Sequence, residues 1–197
     1  MMPFELPDRF LDAAQAANGR ALPPVESWNP AYCGEIDMRI ARDGQWFYQG
    51  TPILRQPLVK LFASILRRDD DRYVLVTPVE RVGIMVEDAP FLAVDMGISH
   101  TQAGDTLAFR TNLDEIVVLN REHPMRLASD ENGGLKPYIL VRGGLWARAT
   151  RAIAFDIANL LVEVDGVLRL RLGDADIPVS GDMSEGFDPV RLAEEQA

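Results

Sequence analysis

Residues 36–48 read IDMRIARDGQWFY, and this stretch is the strongest structural signal in the chain. Its first half alternates apolar residues with polar or small ones, which is the period-two pattern of a half-buried strand. The dipeptide Asp43-Gly44 follows, and between two alternating segments this pair is typical of a type I′ turn. The stretch therefore predicts a β-hairpin whose second strand is Gln45–Gln49.

The expected turn also predicts which side chains share a face of the hairpin. With a loop of two residues, Ile40 lies opposite Phe47 and Arg39 lies opposite Tyr48. The face with Ile40 and Phe47 is then apolar and belongs to the core. The other face carries Asp37, Arg39, Trp46 and Tyr48 and is expected to lie outside the core.

The remaining chain is predicted to form short strands and a few helices. A helix opened by Pro57 carries an apolar stripe, with Arg67 on its outer face. A second helix is predicted over residues 147–161, and a short one over 7–17 precedes the proline-rich connector 22–30. The stripe of the first helix is Leu58, Leu61, Phe62, Ile65 and Leu66, and the strands are 73–77, 82–86, 91–96, 106–111, 115–119, 125–129, 138–142 and 167–172.

The order of these elements indicates a duplication. A shift of about 94 residues places helix 58–66 on 152–160 and strand 73–78 on 167–172. Because the linkers have hairpin length and helices are few, we expect an α+β fold of two similar, mostly antiparallel halves. The predicted organisation is an N-terminal helix and linker (1–24), a first α+β domain (25–90), a second α+β domain (91–182) and a C-terminal tail (183–197).

Composition and charge exclude several classes of protein. Apolar residues make up 47% of the 197 residues, as in a globular protein, and 30 acidic against 20 basic residues give a net charge of −10. An acidic surface repels phosphate backbones, so we expect no binding to long nucleic acid. A single cysteine, the absence of a signal-like N-terminus and the absence of a long apolar run predict a soluble, cytoplasmic protein without a membrane span.

Residues for catalysis or metal binding are few. Neither His100 nor His123 lies in a nucleophile or triad motif, and Cys33 is expected to be a small buried residue. No catalytic residue, metal site or cofactor is therefore predicted. The carboxylates Glu35, Asp37, Glu87 and Asp88 leave open an alternative, a metal-dependent hydrolase, since divalent cations prefer oxygen ligands.

One set of side chains is typical of a ligand site. The outer face of the hairpin combines Arg39 with Trp46 and Tyr48, and Arg55 lies just before the first helix. Aromatic rings stack on planar groups, and the guanidinium fork of Arg binds phosphate at two points. In the second half, Arg142 and Arg148 lie at nearly corresponding places.

Several segments together resemble a family of uncharacterised bacterial proteins, domain of unknown function family 1285. The resemblance covers about residues 23–179 and rests on Cys33–Ile40, Asp43-Gly44, Gly50–Ile53, Arg55, 75–80, 86–91 and the triple Arg142, Gly144 and Leu145. It implies a two-domain architecture with a duplicated core, in which the second domain is similar to a pleckstrin-homology fold. It also implies a ligand site between the domains, a nucleotide-type ligand and a role in signalling.

From the residues and the resemblance we predict a non-enzymatic, regulatory protein that binds a small anionic, nucleotide-like ligand. The predicted site lies in the groove between the halves and is lined by Arg39, Trp46, Tyr48, Arg55, Asp88 and Arg148. The alternatives are the hydrolase already named and a protein–protein adaptor, which would require a protein partner.

Overall fold

The chain forms two compact units. The structure, a computed structural model, describes residues 22–101, 104–130, 133–165, 167–172 and 175–179. Within these ranges the first unit comprises 22–41 and 45–87, and the second comprises 42–44 and everything from Asp88 onward. The helix expected over 7–17 and the tail 183–197 lie outside the described residues.

The first unit is a six-stranded sheet with one α-helix. Its elements are β1 (Tyr32–Ile40), β2 (Trp46–Tyr48), β3 (Thr51–Pro52), α1 (Gln56–Ser64), β4 (Leu66–Asp69), β5 (Arg72–Val76) and β6 (Arg81–Val86). The strand order is β3-β2-β1-β6-β5-β4. Every neighbouring pair is antiparallel except β1 and β6, which are parallel and join two three-stranded meanders.

Helix α1 covers the core of this sheet. Pro57 lies in its first turn, where a missing N–H costs little. Val59, Phe62 and Ala63 are buried, whereas the predicted stripe residues Leu58 and Leu61 are only half-buried. Phe62 stacks on Trp46 of β2, with ring centroids 6.1 Å apart.

The predicted register of the first hairpin is wrong by one residue. The amide of Ala41 donates to the Gln45 carbonyl at 2.9 Å, so the loop has three residues, and Gly44 occupies its left-handed position at φ +78°. Ile40 therefore pairs with Trp46, and Arg39 pairs with Phe47. Because a shift of one residue moves each side chain to the opposite face, Trp46 enters the core and is 1% exposed.

Arg67 is also placed differently from the prediction. It lies in β4 rather than on the outer face of a helix, and it is 6% exposed. Its guanidinium donates to both carboxylate oxygens of Asp69, at 2.6 and 3.0 Å, and to the backbone carbonyls of Val25 and Trp28, at 2.7 and 2.6 Å. The buried charge thus fixes the proline-rich connector against the sheet.

The second unit contains another six-stranded sheet, one α-helix and a three-stranded sheet. Its elements are β7 (Phe91–Thr101), β8 (Gly104–Thr111), β9 (Ile116–Val118), β10 (Met125–Ser129), β11 (Leu135–Arg142), β12 (Leu145–Ala149), α2 (Arg151–Leu160), β13 (Leu161–Val164), β14 (Val167–Leu172) and β15 (Ala175–Pro178). The strand orders are β10-β11-β12-β7-β8-β9 and β13-β14-β15. In the larger sheet β12 and β7 are parallel, and the other pairs are antiparallel.

The two six-stranded sheets have the same topology. In each, two meanders of three strands meet where the first strand lies parallel to the sixth, as β1 with β6 and β7 with β12. This match is consistent with duplication and gives a mostly β protein with few helices. The predicted superposition of the helices is wrong, because α1 connects the third and fourth strands of its sheet whereas α2 follows the sixth.

The second helix begins later than predicted. Leu145–Ala149 forms β12, in which both faces are largely buried, and only then does Thr150 act as the N-cap of α2. A strand that is buried on both faces is apolar without strict alternation and therefore resembles the start of a helix in sequence. Among the described residues, neither helix is long and apolar enough to cross a membrane.

Candidate functional site

Two of the predicted site residues, Asp88 and Arg148, meet in the second unit. Asp88 is 8% exposed, and its Oδ2 atom lies 3.1 Å from Arg148 Nε and 3.5 Å from Lys136 Nζ. Its Oδ1 atom accepts a hydrogen bond of 2.6 Å from the hydroxyl of Tyr138. One buried carboxylate thus contacts two cations and a phenol.

The sheet register places these side chains on one face. Arg126 of β10 lies opposite Tyr138 of β11, and Tyr138 lies opposite Arg148 of β12. Residues directly opposite each other in an antiparallel pair point to the same side, and so do residues two apart in one strand. Lys136 and Trp146 therefore join this row, and we call the five side chains the basic face. Its members are Arg126, Lys136, Tyr138, Trp146 and Arg148.

The adjacent row of the same strands faces the other way and is wholly apolar. Met125, Ile139, Ala147 and Phe91 pair in sequence across β10, β11, β12 and β7, and none is more than 2% exposed. Burial of this row fixes the register of the sheet, because a slip of one residue would bury the charges. The apolar core thereby determines where the cations lie.

Aromatic rings support the cations of the basic face. The Arg126 guanidinium lies 5.5 Å from the centroid of the Trp146 ring, and Lys136 Nζ lies 5.5 Å from that of Tyr138. Both rings are buried, at 4% and 1% exposure, and they pack in a cluster with Ala89 and Ala128. The side chains of Lys136 and Arg148 remain 31% and 24% exposed, so water and small solutes reach them.

Arg148 has hydrogen-bonding capacity that its neighbours do not fully use. Its Nη2 atom donates to the backbone carbonyl of Arg42 at 2.7 Å. Its Nε atom is buried and makes no directed hydrogen bond, although Asp88 Oδ2 is only 3.1 Å away. The contact with Asp88 is therefore ionic. A buried N–H group without a hydrogen-bond acceptor lowers the stability of the fold.

The other four predicted site residues belong to the first unit and do not form the expected cluster. Arg39 pairs with Glu87 and lies over the Phe47 ring, 4.3 Å from its centroid. Trp46 and Tyr48 point to the opposite face of the sheet from Arg39, since the register differs by one residue. Trp46 is a core residue, and the expectation that it lies outside the core is wrong. Arg55 is exposed and directly precedes α1.

Three of the four carboxylates named for a metal site have other partners. Glu87 pairs with Arg39, Asp88 with the two cations described above, and Glu35 accepts a hydrogen bond from the Tyr32 hydroxyl. This hydrogen bond raises the pKa of the Tyr32 phenol, because it favours the protonated form. Within the described part of the chain, no three His, Cys, Asp or Glu residues are grouped so as to hold a metal ion.

Two more polar residues differ from expectation or were not anticipated. Cys33 is exposed rather than buried. Asp69 pairs with Arg81 at 2.6 Å as well as with Arg67. Burial alone would raise the pKa of Asp69, but the hydrogen bonds and charges of the two arginines outweigh it and lower the pKa. This network supports the connector and lies in the first unit.

Sequence reasoning missed Lys136, Tyr138, Arg126 and Trp146. The alternation along residues 135–142 contained the signal, and the Asn132-Gly133 turn placed Arg126 near Tyr138 along the hairpin. A two-residue loop at Asn132-Gly133 would pair position 126 with position 139, whereas the structure pairs Arg126 with Tyr138. The sequence predicts strands 125–129 and 138–142 without a register, so it does not bring the side chains of the basic face together.

The fold places the chain in a distinct structural class. It is a two-part, mostly β chain in which one sheet topology, with a parallel pair at its centre, occurs twice. Two models of one family of unknown function, DUF1285, match the two parts. The model of its N-terminal domain matches residues 23–89, and the model of its C-terminal domain matches residues 90–172.

Solved structures agree with the family models. A DUF1285 family protein from Silicibacter pomeroyi DSS-3 is 44% identical, with a TM-score of 0.76, over 86% of this chain and 93% of that one. A DUF1285 family protein from Shewanella baltica OS155 is 34% identical, with a TM-score of 0.51, over 63% of this chain and 91% of that one. No curated protein matches the chain. The chain belongs to the DUF1285 family.

Proposed function

We propose that this chain is a non-enzymatic, regulatory protein that binds a small phosphate-bearing anion at the basic face. The observation that carries the proposal is the sharing of one carboxylate oxygen by Lys136 and Arg148, with Arg126 in the same cross-strand row. Two cations thus contact a single buried carboxylate, and a third lies in their cross-strand row, in a chain whose net charge is −10. A local excess of positive charge on an acidic protein attracts anions to that place.

The chemistry of these side chains favours phosphate. Arg presents a planar fork of donors, and Lys adds a compact charge with three donors. Because the Tyr138 and Trp146 rings are buried, they hold the cations in position and offer little surface on which a base could stack. The proposal is therefore a ligand recognised through its phosphate groups, and recognition of a nucleoside part stays a prediction.

The proposed biological setting is the one that the family resemblance implies. We propose a cytoplasmic role in bacterial signalling, in which ligand binding changes the state of the protein. The likeness of the second half to a pleckstrin-homology fold also stays a prediction, as do ligand contacts from Arg39, Tyr48 and Arg55.

The proposal is tested by calorimetric titration with inorganic phosphate, pyrophosphate and nucleoside diphosphates at constant ionic strength. Lys136→Ala is expected to weaken binding by about 1.5–3 kcal/mol, the range for a hydrogen bond to a charged group. The chain has two lysines, so Lys60→Ala, on the exposed side of α1, is the matched control and should leave affinity unchanged. Arg55→Ala tests the predicted contribution of the first unit.

Amine labelling gives an independent measurement. With two lysines, modification at Lys136 and Lys60 is readily distinguished by peptide mass. Phosphate should protect Lys136 from labelling and leave Lys60 unprotected. Equal protection of both lysines, or unchanged affinity in Lys136→Ala, would show that the basic face is not the site.

Two further measurements separate the alternatives. Hydrolysis of phosphate esters that depends on added Mg²⁺ or Mn²⁺ would contradict a non-enzymatic role. Binding to vesicles with anionic phospholipid headgroups, without binding to free phosphates, would contradict a small soluble ligand.

A further inference from the structure

The carboxylate of Asp88 occupies the place at which a ligand oxyanion would contact both cations. Its Oδ2 atom lies within 3.5 Å of Lys136 Nζ and 3.1 Å of Arg148 Nε. A phosphate oxygen binds to Lys and Arg side chains in the same manner. We infer that Asp88 is an internal counter-ion that competes with the ligand and thereby sets which anions the basic face accepts. This inference rests on the proposed function.

The fit of Asp88 to the two cations is incomplete. The buried Nε–H of Arg148 is not directed at the carboxylate, and the distance to Lys136 Nζ is longer than a good charged hydrogen bond. A tetrahedral phosphate has more oxygens than a carboxylate and can accept from both donors along their own directions. The two donors are therefore better satisfied by phosphate than by Asp88.

Competition with Asp88 predicts selectivity by charge. A monovalent anion such as acetate brings no more charge than the carboxylate it would replace, so the exchange gains little. A phosphate dianion brings more charge to the same two cations, and its attraction is correspondingly greater. Asp88 thus excludes monovalent anions while it admits phosphate.

Tyr138 acts as a positioning residue for this counter-ion. Its hydroxyl donates to the Oδ1 atom of Asp88 at 2.6 Å, and the ring is 1% exposed and held in the apolar cluster. The hydrogen bond keeps the carboxylate between the cations. Without the hydroxyl, Asp88 should be easier to displace.

The test compares variants by calorimetric titration with inorganic phosphate and with acetate, at constant ionic strength. Asp88→Asn removes the competing charge, so phosphate should bind on the order of ten-fold more tightly, the low end of coupling between close charge pairs. Acetate should gain measurable affinity, and the preference for phosphate should fall. Asp95→Asn is the matched control: it makes the same change at an exposed carboxylate of the same unit, which pairs with Arg110, and should leave both affinities unchanged.

Tyr138→Phe provides a second, milder variant in case Asp88→Asn does not fold. It should tighten phosphate binding in the same direction and to a smaller extent. If folded variants bind phosphate equally or more weakly than the wild-type chain, Asp88 is not a competitor and the inference is wrong. That result leaves the proposed function standing, provided that the wild-type chain binds phosphate and Lys136→Ala does not. Absence of phosphate binding in every variant would refute both.

Discussion

Gly44 lies in a position that a larger residue cannot occupy without cost, and Gly44→Ala tests this reading of the first hairpin. The residue has φ +78°, and a Cβ atom built there would lie 2.9 Å from Asn112 Nδ2 and 3.1 Å from a methyl carbon of Leu92. Asn112 is not free to move, because its Oδ1 atom accepts the Leu92 amide hydrogen at 3.0 Å. The substitution therefore adds a strained backbone and an overpacked contact.

The magnitude follows from these two contributions. A left-handed conformation costs a residue with a Cβ atom about 1–2 kcal/mol, and overpacking costs about 1–3 kcal/mol. The loss of unfolded-state entropy on replacing glycine offsets about 0.4–1 kcal/mol. We expect Gly44→Ala to lower the free energy of unfolding by about 2–4 kcal/mol.

Gly50→Ala is the matched control. Gly50 has φ +72°, close to that of Gly44, but no atom lies within 4 Å of the added Cβ position. Only the backbone contribution then remains, about 1 kcal/mol after the entropic offset. Urea denaturation of both variants measures the difference, which should be about 1–3 kcal/mol. Equal losses in the two variants would refute the steric argument and with it the packing of Gly44 against Asn112.

Three other measurements test the polar groups of the first unit. Arg67→Met should cost about 3–5 kcal/mol in urea denaturation, because it leaves the Asp69 carboxylate without its buried partner. The control Arg110→Ala, which removes two surface ion pairs of the second unit, should cost no more than about 1 kcal/mol. Because the pKa of Asp69 is lowered in the folded chain, ionised Asp69 stabilises the fold above the ordinary aspartate pKa of about 3.9. This stabilisation is lost as the pH falls through the folded pKa. Asp69→Asn should therefore flatten the acid side of the plot of unfolding free energy against pH. Glu35→Gln should lower the pKa of Tyr32 toward about 10. Phenolate absorbance in an alkaline titration measures this pKa, with Tyr32→Phe as the subtraction control. An unchanged titration would contradict the hydrogen bond.

The turn dipeptides show which features of a hairpin local sequence can predict. The Asp43-Gly44 pair predicts the first hairpin, but its glycine is the last of three loop residues, because the Ala41 amide donates to the Gln45 carbonyl. At Asp165 the same dipeptide predicts a two-residue loop, and there Val164 does pair with Val167. The dipeptide thus indicates that the chain reverses without specifying the loop length, and packing of the strands decides the register.

Charged residues near element boundaries were the second source of error. Arg67 follows an apolar stripe that continues past the end of α1 at Ser64, so the pattern extended the helix through a strand. Its buried position depends on the carbonyls of Val25 and Trp28, which lie about 40 residues earlier in the chain. No local pattern carries a contact over that distance.

The site was predictable only in part. The sequence predicts Arg148 and Asp88 as site residues, and the structure brings them into contact. The contact forms because the charged side chains of β11 and β12 lie next to Asp88, the first residue after the first unit. Lys136 and Tyr138 complete the arrangement only when the register of β10 and β11 is known. Trp46 shows the converse, since an aromatic residue in an amphipathic hairpin can serve either face until the loop length is determined.

The parallel pair at the centre of each sheet has a consequence for the order of folding. In the first unit it joins Ile40 to Val86, so β1 cannot pair with its second neighbour, β6, until that last strand of the sheet has been synthesised. The meanders on either side need only local contacts and can form as the chain emerges, whereas their docking must await loop closure over the intervening residues. Each six-stranded sheet therefore completes its centre last, and until then the unpaired backbone groups along β1 and β7 can pair with another strand.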